Sequence, residues 1–117
     1  MLGETFELVT EDFRYIAEQV SHHPPISAYY QEGKGYTVSG FLDSKSKFGF
    51  GGGKGLMELT CIGYQDYFLE QWDETISVSR PKVFAKNIIM GTLYIDYEGD
   101  MKVINHRTGE EATITFY

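Results

Sequence analysis

Apolar and aromatic residues occur along the chain in short segments that are separated by glycine-rich or polar turns. Two such segments, residues 26–31 and 36–43, flank the turn sequence EGKG at residues 32–35. In the second segment apolar and polar residues alternate, as they do in a strand with one buried face. This pattern predicts a β-hairpin.

The downstream part of the chain continues with the same spacing. Residues 56–62 and 67–72 flank a turn at 63–66 and predict a second hairpin. Three more segments follow, joined by turns at 98–100 and near 108–109: residues 88–97, 101–105 and 111–117. Such regular spacing predicts an all-β, mainly antiparallel fold whose curved sheet forms a meander or barrel wall.

The segment before the first predicted hairpin permits two interpretations. Its apolar residues have the spacing of a helical stripe: Phe13, Ile16, Ala17 and Val20. The residue pattern alone therefore leaves both a helix and an extended strand open for residues 10–19.

Net charge limits the classes of partner that we expect, and cysteine content limits the expected compartment. The net charge of −7 repels phosphate backbones, so no nucleic-acid partner is expected, and contact with an anionic membrane requires a local patch. Cys61 is the single cysteine, which excludes an internal disulfide and favours a reducing compartment. Because no run of 18 apolar residues and no signal-like N-terminus occur, we expect a soluble, cytoplasmic protein.

The most informative motif is the string EQVSHHPP at residues 18–25. Proline disfavours helical geometry in the residue before it, so His23 and Pro24 are predicted to be extended or polyproline-like. Adjacent strand residues point to opposite faces, so His22 and His23 can serve one ligand only if the chain bends. Imidazoles near neutral pH suit an anionic phosphate, whereas the simpler alternative is a pair of ordinary polar residues before a turn.

The whole string resembles the fingerprint of the oxysterol-binding protein family, without a substitution. The segment LGETFE at residues 2–7 is similar to the family segment that precedes the fingerprint. Further collinear similarities follow at residues 46–48, 87–91, 95–96, 99–100 and 104–106. The resemblance thus covers nearly the whole chain, and it favours a strand over a helix at residues 10–19.

The resemblance implies an incomplete β-barrel around a lipid tunnel. Family members bind a sterol or another lipid there, many also bind phosphatidylinositol 4-phosphate, and they exchange these lipids at membrane contact sites. By this resemblance His22 and His23 contact the headgroup phosphate, supported by the other fingerprint residues, which are Glu18, Gln19, Val20, Ser21, Pro24 and Pro25. It further implies a cytoplasmic, peripheral protein that touches membranes transiently, has no cofactor and is not an enzyme.

The chain departs from the family pattern in extent. It has no counterpart of the N-terminal lid, of the lysine and asparagine before Gly3, or of the later basic segment. Residues 1–117 are therefore expected to form a single partial lipid-binding domain. A slice of barrel leaves open sheet edges, which predicts self-association.

A glycine-rich segment at residues 49–55 supplies candidate basic residues. It is not a phosphate-binding P-loop, because Phe48 stands at the first glycine position and Gly55 at the Ser/Thr position. Lys45, Lys47 and Lys54 form a candidate basic rim of the tunnel, and solvated surface lysines are the alternative.

Two other classes of function compete with lipid transfer. His22 and His23 with His106 and Glu18 suggest a small cupin-like metalloenzyme, although the usual metal-ligand spacings are missing and no metal site is predicted. Because so much of the family site is absent, the other alternative is a lipid-free interaction module with the family fold. A bound lipid, a bound metal or neither would distinguish the three.

Overall fold

The computed structural model describes the backbone of residues 1–117 and the burial of every residue except residue 51. It contains one ten-stranded sheet and two three-residue 3₁₀ turns, Gly51–Gly53 and Glu70–Trp72. The strands are β1 (Thr5–Val9), β2 (Phe13–His22), β3 (Pro25–Gly33), β4 (Tyr36–Gly49), β5 (Leu56–Ile62), β6 (Tyr64–Leu69), β7 (Glu74–Ser79), β8 (Lys82–Lys86), β9 (Tyr94–Asn105) and β10 (Glu111–Phe116).

All strand pairs are antiparallel, and the first four strands form a meander in chain order. The β3–β4 pair turns through Lys34 and Gly35, where Gly35 has a φ of 82° that suits glycine. The hairpin predicted from alternation is therefore confirmed. β2 is paired by β3 along its length except at Val20, and by β1 from Arg14 to Glu18.

The helical alternative for residues 10–19 is wrong, because β2 occupies most of this segment as a strand. A tight turn precedes it, in which the Phe13 amide donates to Thr10 Oγ1 at 3.1 Å and the Thr10 amide donates to the Phe13 carbonyl at 2.9 Å. Backbone pairing to two neighbouring strands outweighs the helical spacing of the apolar side chains.

In the middle of the sheet two long strands, β4 and β9, each pair with two shorter strands in succession. β4 pairs with β6 through Tyr36–Gly40 and with β5 through Asp43–Gly49. Gly63, with a φ of 99°, separates β5 from β6, while Arg80 and Pro81 separate β7 from β8. β9 then pairs with β8 along its first half and with β7 along its second half.

The second predicted hairpin is wrong, since β5 and β6 both pair with β4 instead of with each other. Gly63 interrupts a strand that continues in the same direction. The predicted turn at 98–100 is likewise wrong, because β9 runs through it with Gly99 at a φ of 94°. β7 and β8 were not predicted.

The predicted strand at residues 88–97 is wrong in its first half, where the backbone is irregular until Tyr94. Positive φ values at Asn87 (61°) and Gly91 (99°) explain this. The Asn87 side-chain amide also donates to the Thr92 carbonyl at 3.0 Å, closing a local loop that competes with strand pairing.

The sheet has one charged and one nearly uncharged face, as strand register and side-chain alternation show. Eleven acidic and six basic residues lie within strands, and all of them except Glu74 point to the charged face. The uncharged face carries a row of aromatic rings on β1, β2 and β3: Phe6, Tyr15 and Tyr29, whose successive centroids are each 6.3 Å apart.

Both faces are largely exposed. Among residues with described burial, Val38 is the one buried apolar side chain. The accessible surface is 8282 Å², against about 6,450 Å² expected for a folded monomer of this mass. The radius of gyration of 17.2 Å likewise exceeds the value of about 13 Å for a compact chain of this length. The molecule is thus a single curved layer.

Candidate functional site

The EQVSHHPP string spans the end of β2, a two-residue turn and the first residue of β3. Gln19 pairs with Ser27 but Ser21 pairs with Ile26, so Val20 is an extra residue, a β-bulge, between two regular stretches of pairing. Strict alternation from Gln19 that counts Val20 would direct His22 to the charged face. The bulge brings His22 to the uncharged face instead, which is how β-bulges redirect side chains.

The two histidines lie together at this turn. His22 pairs with Pro25, and His23 with Pro24 forms the turn itself, so the chain bends at the histidines as a shared ligand requires. The extended or polyproline-like conformation of His23 and Pro24 stays a prediction. The imidazole centroids are 4.2 Å apart with an interplanar angle of 49°. Both rings are exposed, so one ligand can contact both.

The remaining fingerprint residues divide between the two faces. Gln19 points to the uncharged face, and Glu18 and Ser21 point to the charged face. Pro24 lies in the turn and Pro25 begins β3. The string therefore serves mainly to shape the end of the β2–β3 hairpin around the two histidines.

The candidate basic rim is not brought to the same face as His22. Lys45 pairs with Thr60 and Lys47 with Glu58, which directs both lysine side chains to the charged face. Lys54 lies in the loop before β5, where its carbonyl accepts hydrogen bonds from the Ile89 and Met90 amides. All three lysines are exposed, and their role as a rim stays a prediction.

His106 belongs to a different cluster, on the charged face. Ser77 Oγ lies 2.6 Å from His106 Nε2 and 2.5 Å from Asp66 Oδ1. These residues line a cavity of about 520 Å³ together with Phe41, Tyr64 and Ile104. Since Ser77 stands between the other two, the order differs from a catalytic relay, in which histidine lies between serine and the carboxylate.

The metal site considered for the three histidines does not form in this arrangement. Going from β2 to β7 takes four strand steps, which is roughly 19 Å along the sheet, and His106 is tied to β7 because its amide donates to the Thr75 carbonyl at 3.0 Å. Within the part of the chain that the structure describes, no three His, Cys, Asp or Glu side chains are grouped to hold a metal ion.

Ion pairs on the charged face join β5, β8 and β9. Lys86 Nζ lies 2.5 Å from Glu98 and 2.9 Å from Asp96, which raises the pKa of Lys86 and lowers the pKa of Asp96. A hydrogen bond from Lys82 to Glu58, at 2.8 Å, lowers the pKa of that carboxyl. Because Lys82 and Lys86 are paired with these carboxylates, neither lysine is left free to bind an anionic ligand.

Polar groups on the uncharged face pair mostly with each other. Gln31 Nε2 donates to Tyr36 Oη at 3.0 Å, and Gln65 Nε2 donates to Tyr67 Oη at 2.9 Å. Arg80 Nη2 donates to Tyr29 Oη at 2.8 Å. Burial raises the pKa of the Tyr29 phenol in spite of this guanidinium.

A family model described as "Oxysterol-binding protein" matches residues 1–117. The chain belongs to the oxysterol-binding protein family. Among curated relatives, mouse oxysterol-binding protein-related protein 2 is 40% identical over 99% of this chain and 24% of its own length. Human oxysterol-binding protein-related protein 1 is also 40% identical over 99% of this chain, but over 12% of its own length. The chain thus spans a quarter or less of these family members.

Solved structures of the family share this fold. The Osh3 ORD of Saccharomyces cerevisiae, in complex with PI(4)P, aligns with a TM-score of 0.87 at 31% identity, over 99% of this chain and 30% of that one. The Osh1 ORD domain in complex with cholesterol aligns at 0.86 and 32%, over 98% and 28%. The predicted all-β antiparallel fold, a curved sheet forming part of an incomplete barrel, is therefore confirmed, as is the family.

Sequence reasoning missed two features of this family member. The Ser77–Asp66–His106 cluster joins β6, β7 and the end of β9, and Arg80 reaches Tyr29 from 51 positions away. Neither has a local motif. A hint was available for Arg80, since an arginine between two apolar strand segments in an acidic chain is unusual.

Proposed function

We propose that this chain forms part of a lipid tunnel that binds sterol, phosphatidylinositol 4-phosphate or both, and transfers them between membranes. The activity is binding and release, with no covalent step and no cofactor. In this proposal the uncharged face is the tunnel wall and the β2–β3 turn contacts the phosphoinositide headgroup. The complexes named for the Osh3 and Osh1 domains, with PI(4)P and with cholesterol, support this choice of lipids.

The observation that carries the proposal is the placement of His22 and His23. The Val20 bulge brings His22 to the uncharged face, and the His23 ring lies 4.2 Å from it. Two exposed imidazoles at one end of a face without strand-borne lysines can donate to one phosphate, and protonation adds charge to those hydrogen bonds. The apolar and aromatic side chains of that face suit a sterol or acyl chains.

The experiment is lipid extraction from liposomes that contain either phosphatidylinositol 4-phosphate or sterol. The double variant H22A/H23A should lose phosphoinositide binding by about a hundredfold or more, since each charge-assisted hydrogen bond contributes roughly 1.5–3 kcal/mol. Sterol extraction should change much less, because it depends on apolar contacts.

The matched control is H106A, which removes the third histidine from the opposite face. It should leave extraction of both lipids unchanged. If H22A/H23A extracts phosphoinositide as well as the unmodified chain does, the histidines do not contact the headgroup.

A second candidate is a lipid-free interaction module, and the exposed apolar surface favours it. The sheet has large apolar side chains on both faces, and its outer strands β1 and β10 each have one partner. Such edges support self-association by strand pairing. Native mass spectrometry distinguishes the candidates: a co-purifying sterol or phosphoinositide supports transfer, whereas a lipid-free dimer supports the module.

A cytoplasmic protein that touches membranes transiently, as at membrane contact sites, fits the proposed transfer. None of the described helices is long and apolar enough to cross a membrane. Sedimentation with liposomes of stated composition tests the peripheral contact, and weak, salt-sensitive binding is the expected result for an acidic chain with local basic groups.

A further inference from the structure

Arg80 lies in the short break between β7 and β8, next to Pro81. Its guanidinium donates to the Phe41 carbonyl at 3.2 Å and to Tyr29 Oη at 2.8 Å. Tyr29 belongs to the uncharged face, where its ring stacks on Tyr15. The half-buried guanidinium therefore reaches across the sheet over Gly40, whose missing side chain leaves room for the Tyr29 ring.

The charge of this guanidinium is not neutralised by the described residues. The Asp and Glu residues within strands lie on the opposite face except for Glu74, which accepts a hydrogen bond from Asn105. No carboxylate of the described residues forms an ion pair with Arg80. Its phenol partner does not compensate, because burial raises the pKa of Tyr29 and keeps it neutral. A half-buried cation without a counter-ion is costly, which indicates an anionic partner.

The guanidinium also has donors to spare. Arginine has five N–H donors, and two are used by Phe41 and Tyr29. The remaining planar fork matches a carboxylate or the two free oxygens of a phosphodiester. The Tyr29 row runs from Ala17 through Gly40 and Gln65 to Val78. Its one polar side chain besides Tyr29, Gln65, donates to Tyr67, so the apolar positions of the row favour an anion that carries a hydrocarbon part.

We infer that Arg80 binds the anionic group, a carboxylate or a phosphodiester, of an amphiphile whose hydrocarbon part lies on the uncharged face. The inference rests on the proposed function, to which it adds an anion contact separate from the histidines. Tyr29 follows Pro25 by four residues on β3, which places the Arg80 contact about 13 Å along the sheet from the histidine turn. The wall thus selects lipids by charge at a second point.

Calorimetric titration of the full chain with three monomeric amphiphiles tests this inference. Decanoate supplies the carboxylate, dihexyl phosphate the phosphodiester and decanol a neutral reference. The unmodified chain should prefer at least one anion to decanol, and R80M should reduce that preference by about tenfold or more while decanol binding stays unchanged. Whichever anion, decanoate or dihexyl phosphate, loses affinity in R80M identifies the anionic group that Arg80 binds.

The matched control is R14M, which removes the same charge from the opposite face, where Arg14 pairs with Glu32 at 3.3 Å. It should keep the anion preference within roughly twofold. If R80M does not fold, R80Q replaces it, since glutamine keeps donors for Phe41 and Tyr29 but no charge. If R80M or R80Q still prefers the anion to decanol as strongly as the unmodified chain does, the Arg80 inference is wrong but the proposed function stands. If none of the three amphiphiles binds, the proposed tunnel wall is wrong as well.

Discussion

The two faces of this sheet differ in whether their charged and polar groups are paired with one another. On the charged face Lys86, Asp96 and Glu98 satisfy one another, as do Lys82 and Glu58. On the uncharged face His22 and Arg80, with His23 in the adjoining turn, have donors left over, and none of the three forms an ion pair with a carboxylate of the described residues. The charged face needs no ligand, because its charges are paired with one another. Unpaired donors on the uncharged face instead indicate that a ligand with acceptor groups binds there.

The largest expected effect comes from placing a charge at the centre of the uncharged face. Val38 is 8% exposed, so V38K should lower the free energy of unfolding by about 3 kcal/mol or more, because the ammonium has no partner there. The neighbouring T37K points to the charged face opposite Glu32 and should stay within about 1 kcal/mol. Urea unfolding measures both. Equal losses would mean that the two faces do not differ in burial.

A smaller effect is expected at Gly40, over which the Tyr29 ring lies. A Cβ there would stand 2.7 Å from Tyr29 Oη, so G40A should displace the ring from Arg80 and cost about 1–3 kcal/mol. On the same strand Gly49 has nothing within 4 Å of an added Cβ, and G49A should change stability by less than about 0.5 kcal/mol. Thermal melting separates the two. A neutral G40A would show that Tyr29 moves freely.

The smallest effect is expected from the ion pairs of the charged face. K86M removes a cation whose hydrogen bond lowers the pKa of Asp96. A carboxyl with a lowered pKa contributes stability above its ordinary value of 3.8, and this contribution is lost as pH falls through the folded-state value. The melting difference between K86M and the unmodified chain should therefore shrink in acid and in high salt. K102M, which removes a lysine outside the described ion pairs, is the control and should show no such dependence.

Prediction from the sequence succeeded where local pattern and chain direction agree. The β3–β4 hairpin follows from alternation and the glycine turn at residues 34–35. It failed at Gly63 and Gly99, because a glycine with positive φ interrupts or bends a strand here without reversing it. The histidine pair was recognisable as a string, but the face that His22 occupies depends on the Val20 bulge, which only the register of β3 reveals.

The long β4 strand has a consequence for the order in which the sheet assembles. Residues 1–43 can pair in sequence as the chain leaves the ribosome, since each early strand meets the one before it. The far edge of β4 must then wait for residues 56–69, which arrive in two pieces on either side of Gly63. Until they do, a long strand with an unpaired edge is present on the nascent chain, and that interval is when this fold is most vulnerable to pairing with a neighbour.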